Sequence, residues 1–234
     1  MHFGIIAAGE GSRLAREGVE TPKPLLPING VPMIERLIRI FEDCGAESVS
    51  VVTNSFMPGV KEFLESFRVR NGDKLNLEIR NTPSSMHTFY ELSKLMKGRG
   101  RFIATTVDTI FREEDFRKYV DAYQKETHAD GMMAVTDFIE DEKPLYVDVD
   151  SSMNITGFLD KPSDDSKYVS GGIYGLGEKG VKVLDKCMAS GVERMRNYQR
   201  ALLAEGLKLK AFPMGKIIDV DHAGDLQRAE EFLR

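Results

Sequence analysis

The sequence predicts an α/β fold with a mostly parallel sheet, on three observations. Apolar runs of strand length recur along the chain, residues 3–8, 48–53 and 102–107 among them. Between them lie segments with apolar residues at i, i+3 and i+4, the period of an amphipathic helix. Strand and helix alternate, and that order closes as parallel pairs joined by right-handed crossovers, with helices covering both faces of the sheet.

Each element follows in order. Residues 3–8 form the first strand, and Gly9-Glu10-Gly11 turns the chain at its carboxyl end. Pro32, Met33, Ile34, Leu37, Ile38 and Phe41 keep the helical period, with proline tolerated in the first turn and Gly45 placed to end the helix. Residues 48–53 are the second strand. A helix near 60–67, a strand over 75–80, a helix over 87–97 and a strand over 102–107 continue the alternation, and a helix near 114–127 with a strand over 131–135 extends it. After Asp137 the pattern changes. Residues 145–149 and 155–159 flank the turn-rich Asp150-Ser151-Ser152-Met153-Asn154, which predicts a hairpin rather than a crossover. Residues 168–176 read as a strand returning to the sheet. Helices over 178–189 and 193–204, strands over 207–212 and 217–220 and a helix over 223–233 close the chain.

A chain of 234 residues can bury a full core and is most simply one domain, 1–234, with a change of pattern after Asp137 that divides it into 1–137 and 138–234. A formal charge of −5 argues against a broad nucleic-acid-binding surface. Two cysteines, Cys44 and Cys187, give neither a disulfide framework nor a metal motif, so a reducing cytoplasm is expected. No apolar run approaches the ~20 residues of a membrane helix, so no membrane partner is expected. Oligomeric state is not legible.

The most informative segment is Gly9-Glu10-Gly11-Ser12-Arg13, followed by Pro22-Lys23-Pro24-Leu25-Leu26-Pro27. A glycine turn after a buried strand lets backbone N–H groups approach phosphate, and Arg13 and Lys23 add fixed positive charge. The segment lacks the third glycine of a dinucleotide fingerprint and the Lys-Ser/Thr of a Walker loop. It resembles the nucleotidyltransferase family that makes nucleotide sugars, whose near relatives act on phosphocholine or molybdopterin. That resemblance implies a Rossmann-like three-layer sandwich of the nucleotide-diphospho-sugar transferase type, with 1–137 as its nucleotide-binding half and 138–234 as the acceptor-binding lobe with the closing strands and helix. It also implies triphosphate contacts from Ala7, Ala8, Gly9, Gly11, Ser12, Arg13 and Lys23, with Asn81, Ser84 and Ser85 at the base.

A carboxylate just beyond a buried parallel strand is a site candidate, because ligands gather at that end of the sheet. Asp108 occupies such a position and resembles the family's Mg²⁺-binding aspartate. Lys216-Ile217-Ile218-Asp219-Val220-Asp221 resembles the closing motif, and odd positions of an extended strand share one side, so Asp219 and Asp221 are expected to face the same ion. Asp148 and Asp150 have the same spacing but border a turn, and serve as a control. Leu159-Asp160-Lys161-Pro162 and Val169-Ser170-Gly171-Gly172-Ile173-Tyr174 resemble the acceptor-holding pieces, which implies that Lys161 meets an acceptor phosphate and Gly172 leaves room beside it.

The implied reaction is attack by an acceptor phosphate, first of all a sugar 1-phosphate, on the α-phosphorus of a nucleoside triphosphate, releasing pyrophosphate. Arg13, Lys23 and Asp108 would be the catalytic residues, and neither a covalent intermediate nor a general base is required. The alternatives are a cytidylyl- or guanylyltransferase acting on a non-sugar phosphate, and a non-catalytic nucleotide-binding regulatory relative.

Overall fold

The computed structural model of the chain describes residues 1–71, 74–139, 143–164 and 166–234. Strand β1 (His2–Ala7) leads through a glycine turn into α1 (Ser12–Arg16), a 3₁₀ turn at Lys23–Leu25 and a small hairpin, β2 (Pro27–Ile28) and β3 (Val31–Pro32). Then come α2 (Met33–Asp43), β4 (Ser48–Thr53), α3 (Val60–Asn71), β5 (Leu75–Ile79), α4 (Ser85–Met96), β6 (Phe102–Thr106) and β7 (Thr109–Ile110). The rest of the chain supplies α5 (Glu113–Lys125), β8 (Gly131–Thr136), β9 (Tyr146–Val149), β10 (Ile155–Leu159) and β11 (Tyr168–Leu176). It closes with α6 (Glu178–Ala189), α7 (Met195–Ala204), β12 (Leu209–Pro213), β13 (Ile218–Asp219) and α8 (Ala223–Phe232).

The main sheet runs β10-β9-β11-β6-β1-β4-β5, with β8 on β11 and β12 on β8. β1 pairs in parallel with β4 and β6, as β4 does with β5 and β12 with β8. β11 runs antiparallel to β6, β8 and β9, so the sheet is mixed. The 145–159 hairpin forms and continues the main sheet through β9 and β11 rather than starting a separate one. Its turn is held by the Asp150 carboxylate, which accepts from the N–H groups of Ser152 and Asn154.

Two apolar layers cover the sheet. On one face Phe3 stacks on Phe41 at 4.6 Å, and Phe116 tilts against both. On the other, Phe89 lies against Tyr174 and Tyr198. Each such buried side chain stabilises the fold by about 1.5–3 kcal/mol relative to exposure. Among the described residues no helix is long and apolar enough to cross a membrane.

The sequence pattern misses α1, the Lys23 turn, the β2–β3 hairpin and β7. All are five residues or shorter, too short to show a period. The hairpin turn had a local signal in Asn29-Gly30, which take φ 48 and 81, the paired positive angles of a tight hairpin turn.

Candidate active site

The carboxyl end of β1 delivers the chain into Gly9-Glu10-Gly11, and Gly11 takes φ 63 to start α1. A side chain there would meet left-handed backbone strain and the Lys23 Cβ at 3.3 Å. Pro22 and Pro24 flank Lys23, and Pro24 is buried, which pins the 3₁₀ turn and aims the lysine inward.

Lys23 is 9% exposed, and its ammonium lies between two carboxylates, contacting Asp108 Oδ2 and reaching Asp221 Oδ1 at 2.8 Å. Arg13 Nη1 donates to Asp221 Oδ2 at 2.6 Å. Four residues from four parts of the chain therefore converge on one spot. Burial pushes the Asp108 carboxyl up, but the Lys23 ammonium and the Thr106 hydroxyl outweigh it and hold the group below 3.8. For Lys23, burial lowers the value and the charges of Asp108 and Asp221 raise it more, leaving it well above 10.5.

Backbone contacts fix this arrangement. Val107 N–H donates to Ile6 and Val220 N–H to the Asp108 carbonyl, so the chain after β6 is tied to both β1 and β13. Asp225, 4% exposed, accepts from the N–H groups of Asp221 and His222 at 2.9 and 2.7 Å. Glu17, just past α1, accepts from Ala223 N–H at 2.7 Å and meets His222 Nδ1 at 2.5 Å, clamping α1 to the start of α8. Glu17 and Asp225 were not anticipated, since their roles arise from contacts between segments far apart in the chain.

Asp219 and Asp221 take different partners, with buried Val220 between them and both carboxylates on the wall of one narrow cleft. β13 ends at Asp219, so Asp221 lies in the turn before α8 and swings to Arg13 and Lys23. Asp219 stands opposite Thr109 across the β13–β7 pair and accepts from its hydroxyl at 3.2 Å. Burial, and then the charges of Asp219 and Asp108, push the Tyr174 phenol above its ordinary value, so both carboxylates act on the same interior region.

A cavity of about 750 Å³ opens over the glycine turn, lined by Gly9, Gly11, Ser12, Arg13, Lys23, Asp108 and Asp221, with Ser84 and Ser85 on its far wall. Ala8 also lines it, while the Ala7 carbonyl is occupied by the Thr53 hydroxyl at 3.4 Å. Asn81 is not on the cavity wall; its amide oxygen accepts from Ser55 N–H at 2.9 Å. Ser84 caps α4 and donates to the Glu193 carbonyl at 2.7 Å.

Asp160 and Lys161 line a separate hollow of about 610 Å³ together with Arg194, Arg196 and Arg200. Asp160 pairs with Arg196 at 2.7 Å and Arg200 at 2.8 Å, which fixes both arginines at this hollow. Gly172 lies elsewhere, at φ 71, with a built Cβ only 2.9 Å from Thr109 Oγ1. A narrow cleft of about 90 Å³ shares Arg13 and Asp221 with the large cavity and Pro144 with the basic hollow. The three openings thus adjoin one another. The control pair stands apart from this site: Asp148, in β9, accepts from the hydroxyls of Ser163 and Ser166, and Asp150 holds the hairpin turn.

Among the described residues no three His, Cys, Asp or Glu side chains gather into a metal-binding group. Asp108 and Asp221 nevertheless bracket one cation, the Lys23 ammonium, and offer the hard oxygen donors that suit Mg²⁺.

The family described as MobA-like NTP transferase domain matches residues 4–155. Choline-phosphate cytidylyltransferase of Streptococcus pneumoniae is 22% identical over 98% of this chain and 97% of its own length. The bifunctional IPC transferase and DIPP synthase of Aquifex aeolicus is 26% identical over 98% of this chain, which spans about half of that protein, 51%. Among solved structures, the inositol-1-phosphate CTP transferase of T. maritima aligns with a TM-score of 0.79 at 17% identity, covering 100% of this chain and 97% of that one. This likeness shows the nucleotide-diphospho-sugar transferase type of α/β fold.

Proposed function

The chain belongs to the MobA-like NTP transferase domain family, and from that premise we propose that it transfers a nucleoside monophosphate from an NTP to a small phosphorylated acceptor. An acceptor phosphate oxygen bonds to the α-phosphorus, the bond from that phosphorus to the bridging oxygen breaks, and pyrophosphate leaves with the electron pair. The observation that supports this reading best is the convergence of Arg13, Lys23, Asp108 and Asp221 at the mouth of the glycine-turn cavity. Arg13 and Lys23 would offset charge on the leaving pyrophosphate, and backbone N–H groups around Gly11 would hold the phosphates. Asp108 with Asp221, and Asp219 behind them, are the carboxylates that would hold Mg²⁺, which when bound supplies charge neutralisation. The acceptor phosphate is already ionised, so no side chain needs to remove a proton.

A sugar 1-phosphate is the first acceptor to test. A non-sugar phosphate such as phosphocholine is the second, supported by the match to a choline-phosphate cytidylyltransferase over 98% of this chain. A cytoplasmic setting agrees with two free thiols, Cys44 being pushed up by burial to about 11 and so held unreactive. The deciding experiment is a matrix of the four NTPs against sugar 1-phosphates, phosphocholine and related phosphates with Mg²⁺, read as pyrophosphate release. Release with at least one pair is expected; none with any pair would remove the transferase reading in favour of nucleotide binding alone.

Lys161 gives a second test. Loss of one charge-assisted phosphate contact costs about 1.5–3 kcal/mol, a tenfold or greater weakening. Lys161→Ala should therefore raise the acceptor KM about tenfold or more while calorimetry shows NTP affinity unchanged. An equal fall in NTP affinity would move Lys161 to the triphosphate site.

A further inference from the structure

Thr109 lines none of the three openings, yet it lies behind Asp219, on the wall of the narrow cleft, and close to Asp108, on the wall of the large cavity. It is fully buried, 0% exposed. Its hydroxyl donates to Asp219 Oδ1 at 3.2 Å and lies 2.6 Å from Thr106 Oγ1. The Thr106 hydroxyl is in turn hydrogen-bonded to the Asp108 side chain. The result is a chain of four groups, Asp108, Thr106, Thr109 and Asp219, running from the end of β6 to β7 and β13, the last two of which pair through two residues each. Backbone and side chain act together here, because Asp219 is also the register partner of Thr109.

Proton counting sharpens the point. Two ionised carboxylates can only accept, and each threonine hydroxyl has one proton. Three contacts therefore share two protons. With Thr109 donating to Asp219, Thr106 can donate to Thr109 or to Asp108, but not to both at once. A cation that draws Asp108 toward itself frees the Thr106 proton for Thr109, which tightens the contact to Asp219. The two carboxylates are coupled through two hydroxyls, that of Thr106 at the cavity wall and that of Thr109 buried behind it. Gly172 keeps the space open: a Cβ there would sit 2.9 Å from Thr109 Oγ1, and its φ of 71 disfavours any side chain.

We propose that Thr109 is a positioning residue that, through Thr106, orients the carboxylates of Asp219 and Asp108 toward one divalent cation. The proposal rests on the reading of those carboxylates as the cation site. Outer partners of metal-holding carboxylates typically change metal affinity by about 10–100-fold when removed. Thr109→Val keeps the shape and deletes the hydroxyl, while Thr109→Ser keeps the hydroxyl and deletes the methyl.

The test uses Mn²⁺ as a paramagnetic probe, its binding to the whole protein titrated by electron spin resonance, alongside kcat and KM for the preferred substrate pair. Thr109→Val should weaken Mn²⁺ binding by about tenfold or more and lower kcat, with NTP binding in the absence of metal unchanged; Thr109→Ser should restore both. Mn²⁺ affinity equal to the unmodified protein in Thr109→Val would overturn the proposal. So would Thr109→Ser as defective as Thr109→Val, which marks a packing role instead. Asp108→Asn, titrated in parallel, tells the two ideas apart: if it loses Mn²⁺ and Thr109→Val does not, only the positioning role falls. If Asp108→Asn also binds Mn²⁺ normally, the cation site itself is misassigned and the proposal falls with it.

Discussion

Asp108→Asn is expected to lower turnover by at least about 10³-fold at saturating NTP and Mg²⁺, the several kcal/mol that a lost metal carboxylate represents. The side chain follows β6, lies among the Lys23 ammonium, the Thr106 hydroxyl and the large cavity, and stays ionised in spite of burial. The amide has nearly the same shape, and Lys23 keeps Asp221 as a partner at 2.8 Å, so the fold should survive. What is lost is a negative charge where a cation would sit. Asp219→Asn should follow it, and Asp221→Asn should fall between, because Asp221 is 41% exposed and its partners Arg13 and Lys23 can turn to the triphosphate. Asp148→Asn supplies the control: its carboxylate serves only the hydroxyls of Ser163 and Ser166 among its described partners, so turnover should stay within about twofold. Steady-state pyrophosphate release with each variant makes the measurement. Turnover of Asp108→Asn within tenfold of the unmodified protein would exclude the residue from the chemistry.

The parts of this site that were legible in the sequence are those set by local pattern. Residues 48–53, 155–159, 168–176 and 178–189 have the predicted boundaries, because a continuous or periodic apolar run leaves few other ways to bury it. The glycine turn, Arg13, Lys23 and Asp108 stand out for a related reason: each is tied to the end of such a run or to a proline pair. Long-range pairing left no such trace. Nothing local says that Asp160 pairs with Arg196 and Arg200, 36 and 40 positions away. Nor does a two-residue strand announce where it ends, and that end decides that Asp221 turns to the cations while Asp219 keeps to Thr109. Asn81 illustrates the same limit, since its partner Ser55 lies 26 positions back in the chain.

Lys23→Met is expected to cut turnover by at least about 10²-fold, the usual cost of one preorganised donor to charge that develops in the transition state. Arg13→Ala should reach a similar figure, with less effect on stability because Arg13 is half exposed. Lys23→Met has a second consequence, since Lys23 is 9% exposed and is what compensates Asp108. Breaking a buried ion pair by removing one partner costs about 3–5 kcal/mol, and the partial exposure of Asp221 reduces this to about 2 kcal/mol, or roughly 4–8 °C in the thermal midpoint. The sign with pH follows from the two shifts. Asp108 is held below 3.8, so its contribution is present above that value and is lost as pH falls through its folded value. Lys23 is held above 10.5, so its contribution is present below that value and is lost only as pH rises through the folded one. The unmodified protein should therefore exceed the variant by a constant margin between about pH 5 and pH 9, and the margin should close in acid, where an unpaired Asp108 protonates readily. Mg²⁺ should recover part of the lost midpoint in Lys23→Met, because two carboxylates then face each other with no ammonium between them. Thermal melts of both proteins from about pH 3 to pH 9, with and without Mg²⁺, read all of this at once. A margin that is as wide in acid as at neutrality would mean that the Lys23–Asp108 pair is not what stabilises this end of the sheet.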